Sequence, residues 1–448
     1  MMSAAEAATM MGGTLIGADV PLSSVSTDSR TLSRGALFVA LRGERFDGHR
    51  FLGEAKQRGA AAAVVEAGGA QDTVLPRIAV DNSKAALGRL ARAWRQRFSP
   101  DVVAIAGSNG KTTVKEMLAS ILRCSAGEAA VLATEGNLNN EIGVPLTLLR
   151  LRAAHKHCAI ELGMNHRGET AYLAGLARPT VALVNNAQRE HLEFMGTVEE
   201  VAAENAEAYA ALPADGVAVV NADDAMAPLF RERCGARRRI EFGISGGDVT
   251  GRYALSPLDS EIVVRAPAGE AAAKLAIPGA HNVRNAFAAA ACASALGIGI
   301  GAVAEGLSGF RPHAGRLQVR TAGGSTVIDD SYNANPDSVR AAIDVLAACA
   351  GPTALVLGDM GEVGARGPEF HAEVGRYAKE KGIGALLALG SAARQAAEAF
   401  GAGGIHFEGV EPLVARARNA RTVLVKGSRF MRMERVVAAL TGGKAGAH

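Results

Sequence analysis

The sequence predicts an α/β chain in three parts: a small N-terminal α/β domain, a central domain on a mostly parallel sheet, and a C-terminal Rossmann-like doubly wound domain. Three observations carry that expectation. The chain has 448 residues, and 48% of them are hydrophobic, enough for a core in each part. Short apolar runs rich in β-branched residues alternate with helical patterns along most of its length. Near the first quarter, Val102 to Ala106 run into Gly107-Ser108-Asn109-Gly110-Lys111-Thr112-Thr113, after which Val114, Met117, Leu118, Ile121 and Leu122 recur at helical spacing. That order is strand, glycine turn, helix.

The first domain is expected over 1–99. Val25 and Ala36 to Leu41 read as strands, Phe51 to Arg58 as a helix, and Ala61 to Val65 as a further strand. Between the first two lies Thr27-Asp28-Ser29-Arg30, whose hydroxyls, carboxylate and guanidinium suit either a sugar or nucleotide head group or a turn closed by a surface ion pair. Phe46-Asp47-Gly48-His49 is a turn or a ligand loop. A helix over Gly88 to Phe98 carries the chain's single Trp, Trp94, and Ser99-Pro100 ends it.

The central domain is expected over 100–313 and opens on the glycine turn. Glycines let backbone N–H groups approach a phosphate, and the following helix points its positive end at the same anion. Lys111 would reach the terminal phosphates and the Thr112 hydroxyl would ligate Mg²⁺. The pattern is the shorter Gly-x-x-Gly-Lys-Thr form, because Ile105 stands where the longer phosphate loop has its first glycine. The central part therefore reads as a P-loop-type ATPase domain.

Further strands there end in polar residues: Cys158 to Ile160 run into Glu161, and Val181 to Val184 into Asn185-Asn186, with His191 close behind. Ligands collect at the carboxyl ends of parallel strands, and Mg²⁺ takes one or two carboxylates with substrate phosphate. Glu161 is then a metal ligand or a solvated strand end, and His191 a supplementary ligand, an orienter or a structural histidine. Thr134 to Pro145 packs Asn137, Asn139 and Asn140 into a loop that suits either recognition of a peptide or sugar or left-handed backbone. Asn282 and Asn285 share one helix face, where amides can flank an adenine or cap the helix.

The C-terminal domain is expected over 314–448. Val327 to Asp330 read as a strand, followed by a helix after Pro336 and by strands at Ala354 to Leu357, Ala385 to Leu389 and Val423 to Val425. No second phosphate loop appears there.

Composition removes other classes. Lys and Arg total 48 against 45 Asp and Glu, a net charge of +3 with no basic block, so nucleic acid is not an expected partner. The five cysteines are scattered without a Cys-x-x-Cys pair and are expected as buried free thiols of a reducing compartment. Met1 to Ala8 lack the cationic and apolar pattern of a secretory signal, so the protein is expected in the cytoplasm. Ala286 to Ala304 is long enough to cross a bilayer but is interrupted by glycines, so two helices are expected and no membrane span. A monomer is expected.

Taken together these segments resemble the Mur ligase family, which builds the peptide stem of bacterial cell-wall precursors. The resemblance covers essentially the whole chain. It rests on Gly-Ser-Asn-Gly-Lys-Thr at 107–112, Glu161, His191, His-Asn-x-x-Asn at 281–285 and Gly315-Arg316. Thr134 to Pro145, Asp329 to Pro336, Gly358-Asp359-Met360 and Lys426 to Arg429 are similar to the member that adds D-alanyl-D-alanine to UDP-N-acetylmuramoyl-tripeptide. The member acting one step earlier carries Asp-Asn-Pro-Arg when it selects diaminopimelate, and that run is absent here.

The resemblance implies ATP and Mg²⁺ as cofactors and an acyl-phosphate route to the new amide. It implies catalytic roles for Lys111, Glu161 and His191, and nucleotide contacts from residues 107–113, Asn282, Asn285, Arg316 and Asp330. Asp28, Ser29 and Arg30 would hold the UDP-sugar. Thr134, Asn137, Asn140, Asn333, Asn335 and Arg429 would meet the remaining substrate. Many relatives carry a carbamylated lysine for a second Mg²⁺ where this chain has Asn205. The Asn205 amide or the neighbouring Glu204 carboxylate would then serve that metal, or the metal site differs.

Overall fold

The computed structural model describes residues 1–43, 46–66 and 75–443. Three main sheets follow one another along the chain. The first has five strands in the order Thr14–Ile16, Arg77–Val80, Ala62–Glu66, Ala36–Val39, Ser24–Ser26, parallel except for the outermost Thr14–Ile16. The second has six strands, Val131–Ala133, His157–Glu161, Asp101–Ala106, Val181–Val184, Val217–Asn221 and Arg238–Phe242, all parallel. The third also has six, in the order Gln318–Ala322, Ser325–Asp330, Thr422–Lys426, Thr353–Gly358, Ala385–Leu389, Gly404–Phe407, with only the first pair antiparallel.

Parallel strands need helical crossovers, and the middle residues of the central sheet's inner strands are accordingly apolar and buried. Val102, Val103, Ala104 and Ile105 expose nothing. The Lys111–Ala126 helix covers one face of the central sheet with Val114, Met117, Leu118, Ile121 and Leu122. Against it lie Ala280–Ala295, whose alanines permit close approach, and Ile300–Gly309. A Cβ at Gly306 would sit 2.4 Å from the Ile121 Cα, so that contact admits no side chain.

Several boundaries differ from the sequence reading. The Trp94 helix spans Ser83–Arg95, not Gly88 to Phe98, because the Asn82 side chain accepts the Ala85 N–H at 2.8 Å and starts it earlier. Trp94 is buried, with Nε1–H donating to the Leu151 carbonyl, so this helix fastens the first sheet to the second. The charge-free stretch at 286–304 divides into two helices at Leu296 to Gly299, and no described helix is long and apolar enough to cross a membrane. A three-stranded antiparallel sheet over Thr250–Leu255, Ser260–Ala266 and Gly269–Leu275 was not anticipated. The expectation of buried thiols needs correction: all five cysteines are free, but Cys124 is exposed and Cys349 half-buried. Cys124 lies near the end of its helix, beyond the apolar stripe.

Candidate active site

Three neighbouring strands of the central sheet end side by side, with Ile105 opposite Glu161 and Ala106 opposite Val184. Their polar ends therefore open on one cavity of about 580 Å³, lined by the phosphate loop, Glu161, Asn186, His191 and residues of the third sheet. Gly107 and Gly110 hold φ of 127° and 83°. At Gly110 a Cβ would meet Asn285 Oδ1 at 2.4 Å and Asn185 Nδ2 at 2.8 Å. The glycines are needed both for conformation and for room.

What fills that room is a chain of amides. Asn185 Nδ2 donates to the Asn109 carbonyl at 2.8 Å and to Asn285 Oδ1 at 2.9 Å, and Asn285 Nδ2 donates to Asn282 Oδ1 at 3.1 Å. Asn186 accepts the Ser108 N–H through its carbonyl and the Asn109 N–H through Oδ1. Asn282 and Asn285 are thus both cavity-lining and buried braces of the loop. The N–H groups of Gly110 to Thr113 open the helix, where no intrahelical acceptor exists for them and an anion can serve. Thr112 and Thr113 are buried at that helix start.

Lys111 folds back on its own loop. Its Nζ donates to the carbonyls of Gly107 and Ser108 and lies 3.5 Å from the Glu190 carboxylate. His191 Nε2 is 3.5 Å from the same carboxylate, and its Nδ1 is 2.7 Å from Glu362 Oε2 of the third domain. That contact holds the Glu362 carboxyl below the usual carboxylate range.

Glu161 is only 2% exposed. Its Oε1 accepts Asn139 Nδ2 at 2.7 Å, whereas Oε2 is buried without a hydrogen-bond partner. A carboxylate oxygen is rarely left so, and an oxygen-seeking cation fits it. Among the described residues no three Asp, Glu, His or Cys side chains gather as a metal cluster. Mg²⁺ does not require one, because it keeps water and substrate phosphate in its shell.

The loop expected to read substrate is divided between two tasks. Thr134 is 1% exposed; its Oγ1 accepts the Glu161 N–H at 3.0 Å and its carbonyl accepts the ammonium of the fully buried Lys115 at 2.7 Å. It braces Glu161 from inside the fold, and its side chain lies outside the cavity lining. Asn137 is exposed at the cavity and Asn140 lines it too, although Asn140 Oδ1 also accepts the Gly143 N–H at 2.9 Å where the Gly143–Leu148 helix begins.

From the third sheet, Arg316 lies with its guanidinium 4.2 Å from the Tyr332 ring centroid. Asp330 pairs with the buried Lys426 ammonium at 2.5 Å; burial pushes its carboxyl up while Lys426 opposes the rise. Asn333 is exposed in the cavity, and Asn335 caps the Pro336–Ala347 helix while its Nδ2 donates to Asn109 Oδ1 at 3.0 Å. Arg429 stands outside the lining, 5.7 Å from the Tyr332 ring centroid and 3.5 Å from Glu434.

Asp28, Ser29 and Arg30 lie on the first domain, outside this cavity. Asp28 and Arg30 close on each other through bonds of 2.8 and 3.0 Å, which hold the Asp28 carboxyl low, and Ser29 Oγ donates to Glu54 at 2.9 Å.

Asn205 is put to a use the sequence did not disclose. Its Oδ1 accepts the Gly107 N–H at 2.7 Å and its Nδ2 donates to the Val201 carbonyl, all buried. Glu204 accepts the N–H groups of Gly168 and Thr170 at 2.9 and 2.8 Å. Asn205 therefore clamps the phosphate loop and Glu204 secures the start of the Glu169–Ala177 helix.

Residues that sequence reading missed include Lys115, Asn139, Gln188, Arg189 and Glu190. Asn139 stood in a recognised amide-rich loop. Arg189 carried no local signal, since its partners Asp337 and Glu373 are 148 and 184 residues away.

The matches with known proteins follow the same order along the chain. Residues 21–95 match the Mur ligase family catalytic domain, 105–293 the Mur ligase middle domain, and 315–429 the Mur ligase glutamate ligase domain. The chain belongs to the Mur ligase family. It is 41% identical to the UDP-N-acetylmuramoyl-tripeptide–D-alanyl-D-alanine ligase of Escherichia coli K12, covering 96% of both chains. The Bacillus subtilis 168 protein of that name is 32% identical, with 92% of each covered. Among solved structures, MurF from Acinetobacter baumannii superposes with a TM-score of 0.90 at 34% identity over 98% of both chains. MurF from Thermotoga maritima in complex with ADP gives 0.79 at 28% identity over 93% of this chain and 96% of the other.

Proposed function

We propose that this chain is an ATP-dependent ligase that joins UDP-N-acetylmuramoyl-tripeptide to D-alanyl-D-alanine in peptidoglycan precursor synthesis. The observation that carries the reading is a phosphate loop facing a buried, unpartnered carboxylate oxygen, Glu161 Oε2, across one cavity. The names borne by relatives over nearly their whole length supply the substrates.

In this reading residues 1–99 hold the UDP-sugar, with Asp28, Ser29 and Arg30 as its contacts, 100–313 bind ATP, and 314–448 complete the ligase site. The N–H groups of Gly110 to Thr113 receive the phosphates, and Lys111 exchanges its carbonyl partners for phosphate oxygens. Thr112 and Glu161 would hold Mg²⁺, with His191 as a further ligand or orienter; the ion supplies charge neutralisation on the phosphoryl group. Asn282, Asn285, Arg316 and Asp330 hold the nucleotide, and Asn137, Asn140, Asn333, Asn335 and Arg429 meet the peptide substrates.

The tripeptide carboxylate oxygen attacks the γ-phosphorus, the bond to the β-phosphate oxygen breaks and ADP leaves. The D-alanyl-D-alanine amine then attacks the acyl carbon, the carbon–oxygen bond to phosphate breaks, and the amine loses a proton as the amide forms. Exclusion of water by the third domain protects the acyl phosphate. The enzyme acts as a cytoplasmic monomer.

The test is phosphate release from ATP and Mg²⁺ with UDP-N-acetylmuramoyl-tripeptide, comparing D-alanyl-D-alanine with single amino acids. Release that needs the dipeptide and vanishes in Lys111→Ala is expected. Release only with a UDP-muramoyl-dipeptide and a diamino acid would move the chain one step earlier.

A further inference from the structure

Four consecutive residues, Gln188 to His191, stand between the phosphate loop and the third domain. Gln188 belongs to the loop: its N–H donates to Ser108 Oγ at 2.9 Å and its Oε1 accepts Asn109 Nδ2 at 2.6 Å. Glu190 faces Lys111 at 3.5 Å. Arg189, between them, turns the other way. Its N–H donates to Asp337 Oδ2 at 2.9 Å, its Nη2 to Asp337 Oδ1 at 2.6 Å, and its Nη1 to Glu373 Oε2 at 2.8 Å. The guanidinium carbon lies 5.2 Å from the Phe370 ring centroid.

All of these partners belong to the third domain. Asp337 sits in the first turn of Pro336–Ala347, the helix capped by Asn335, and Glu373 lies on Gly367–Glu380. The Arg189 and Asp337 side chains are 22% and 23% exposed, so the pair is shielded more than a surface ion pair and a planar fork meets carboxylates on two helices. Arg189 also holds the Glu373 carboxyl below its ordinary range. Neither Asp337 nor Glu373 has a role in the chemistry described above.

We infer that Arg189 is a positioning residue that fixes the third domain over the phosphate loop and couples nucleotide binding to that docking. The coupling is mechanical. Occupation of the loop fixes Ser108 and Asn109, these fix Gln188, and the adjoining Arg189 backbone and fork fix the Pro336–Ala347 helix, which brings Asn335 back onto Asn109. By linkage, docking strengthens nucleotide binding by the factor with which the nucleotide strengthens docking. The inference uses the proposed ATP site but not the identity of the acceptor.

The experiment uses the full chain and its Arg189→Ala and Arg189→Lys variants. Small-angle scattering without nucleotide reads domain docking, calorimetry with ADP reads affinity, and phosphate release gives kcat and KM. Arg189→Ala is expected to enlarge the radius of gyration and weaken ADP on the order of 5- to 100-fold, although Arg189 lies on the far side of Gln188 from the loop. It should lower kcat more than it raises the KM for ATP. Arg189→Lys, which keeps charge but loses the fork, should fall between. Glu373→Gln should give a smaller expansion and add little to Arg189→Ala. Unchanged scattering and ADP affinity in a folded Arg189→Ala protein would overturn the inference. Altered scattering with normal ADP affinity would overturn the coupling. If no acceptor supports turnover, the ligase reading fails while scattering and ADP binding still decide this one.

Discussion

At the scale of single residues, the site depends on groups whose surroundings set their use. Glu161 is the clearest, with one oxygen braced by Asn139 and the other buried and unpartnered. Glu161→Gln keeps the Asn139 bond and removes the charge. Phosphate release should fall about 100-fold or more, while the melting temperature holds or rises, because an uncompensated buried carboxylate is lost. Asn205 bonds the Gly107 N–H and cannot be carbamylated, so CO₂-stripped enzyme should show no activation by bicarbonate. Asn205→Ala leaves that buried N–H unpaired, a cost of about 1–3 kcal/mol, and ADP affinity measured by calorimetry should drop. His281 accepts Asn282 Nδ2 at 3.0 Å, and loss of solvation at the cavity wall, with Lys426 and Arg284 nearby, pushes its pKa from 6.5 down to about 4. A histidine depressed in the folded state contributes stability that is complete above its unfolded pKa and is lost as pH falls toward the folded one. Unfolding midpoints should therefore decline between about pH 6.5 and pH 4 by more in the native chain than in His281→Gln.

At the scale of elements, strands and phosphate loop were readable and contacts between helices were not. The run Val102 to Ala106 is apolar because the strand is covered on both faces, and such a run announces itself locally. The start of the helix at Ser83 is not marked locally, because its cap Asn82 resembles any loop asparagine until packing brings the Ala85 N–H onto it. Gly306 offers a test of helix packing. Alanine favours a helix by roughly 1 kcal/mol over glycine, but here its Cβ would lie 2.4 Å from the Ile121 Cα, part of a backbone that cannot swing aside. The clash wins: Gly306→Ala should destabilise the chain by about 1–3 kcal/mol or more in denaturant unfolding. The opposite result, a gain in stability, would mean the two helices separate freely.

At the scale of the whole molecule, alternating strands and helices, the phosphate-loop pattern and the ends of three apolar runs already specified an α/β nucleotide-binding protein. Each signal is a local period or a short spacing, and local backbone physics writes such signals into consecutive residues. Lys111, Glu161, His191, Asn282 and Asn285 could be singled out in the same way, and the fold brings them to one cavity. What only the tertiary structure decided is how side chains with several possible partners distribute themselves. Thr134 turned inward to brace Glu161, Asn205 took the Gly107 N–H, and Arg189 reached Asp337, 148 residues away, in place of any neighbour. Hydrogen-bonding groups accept many partners of similar strength, so their choice follows from which elements packing brings together, and that information is spread over the entire chain.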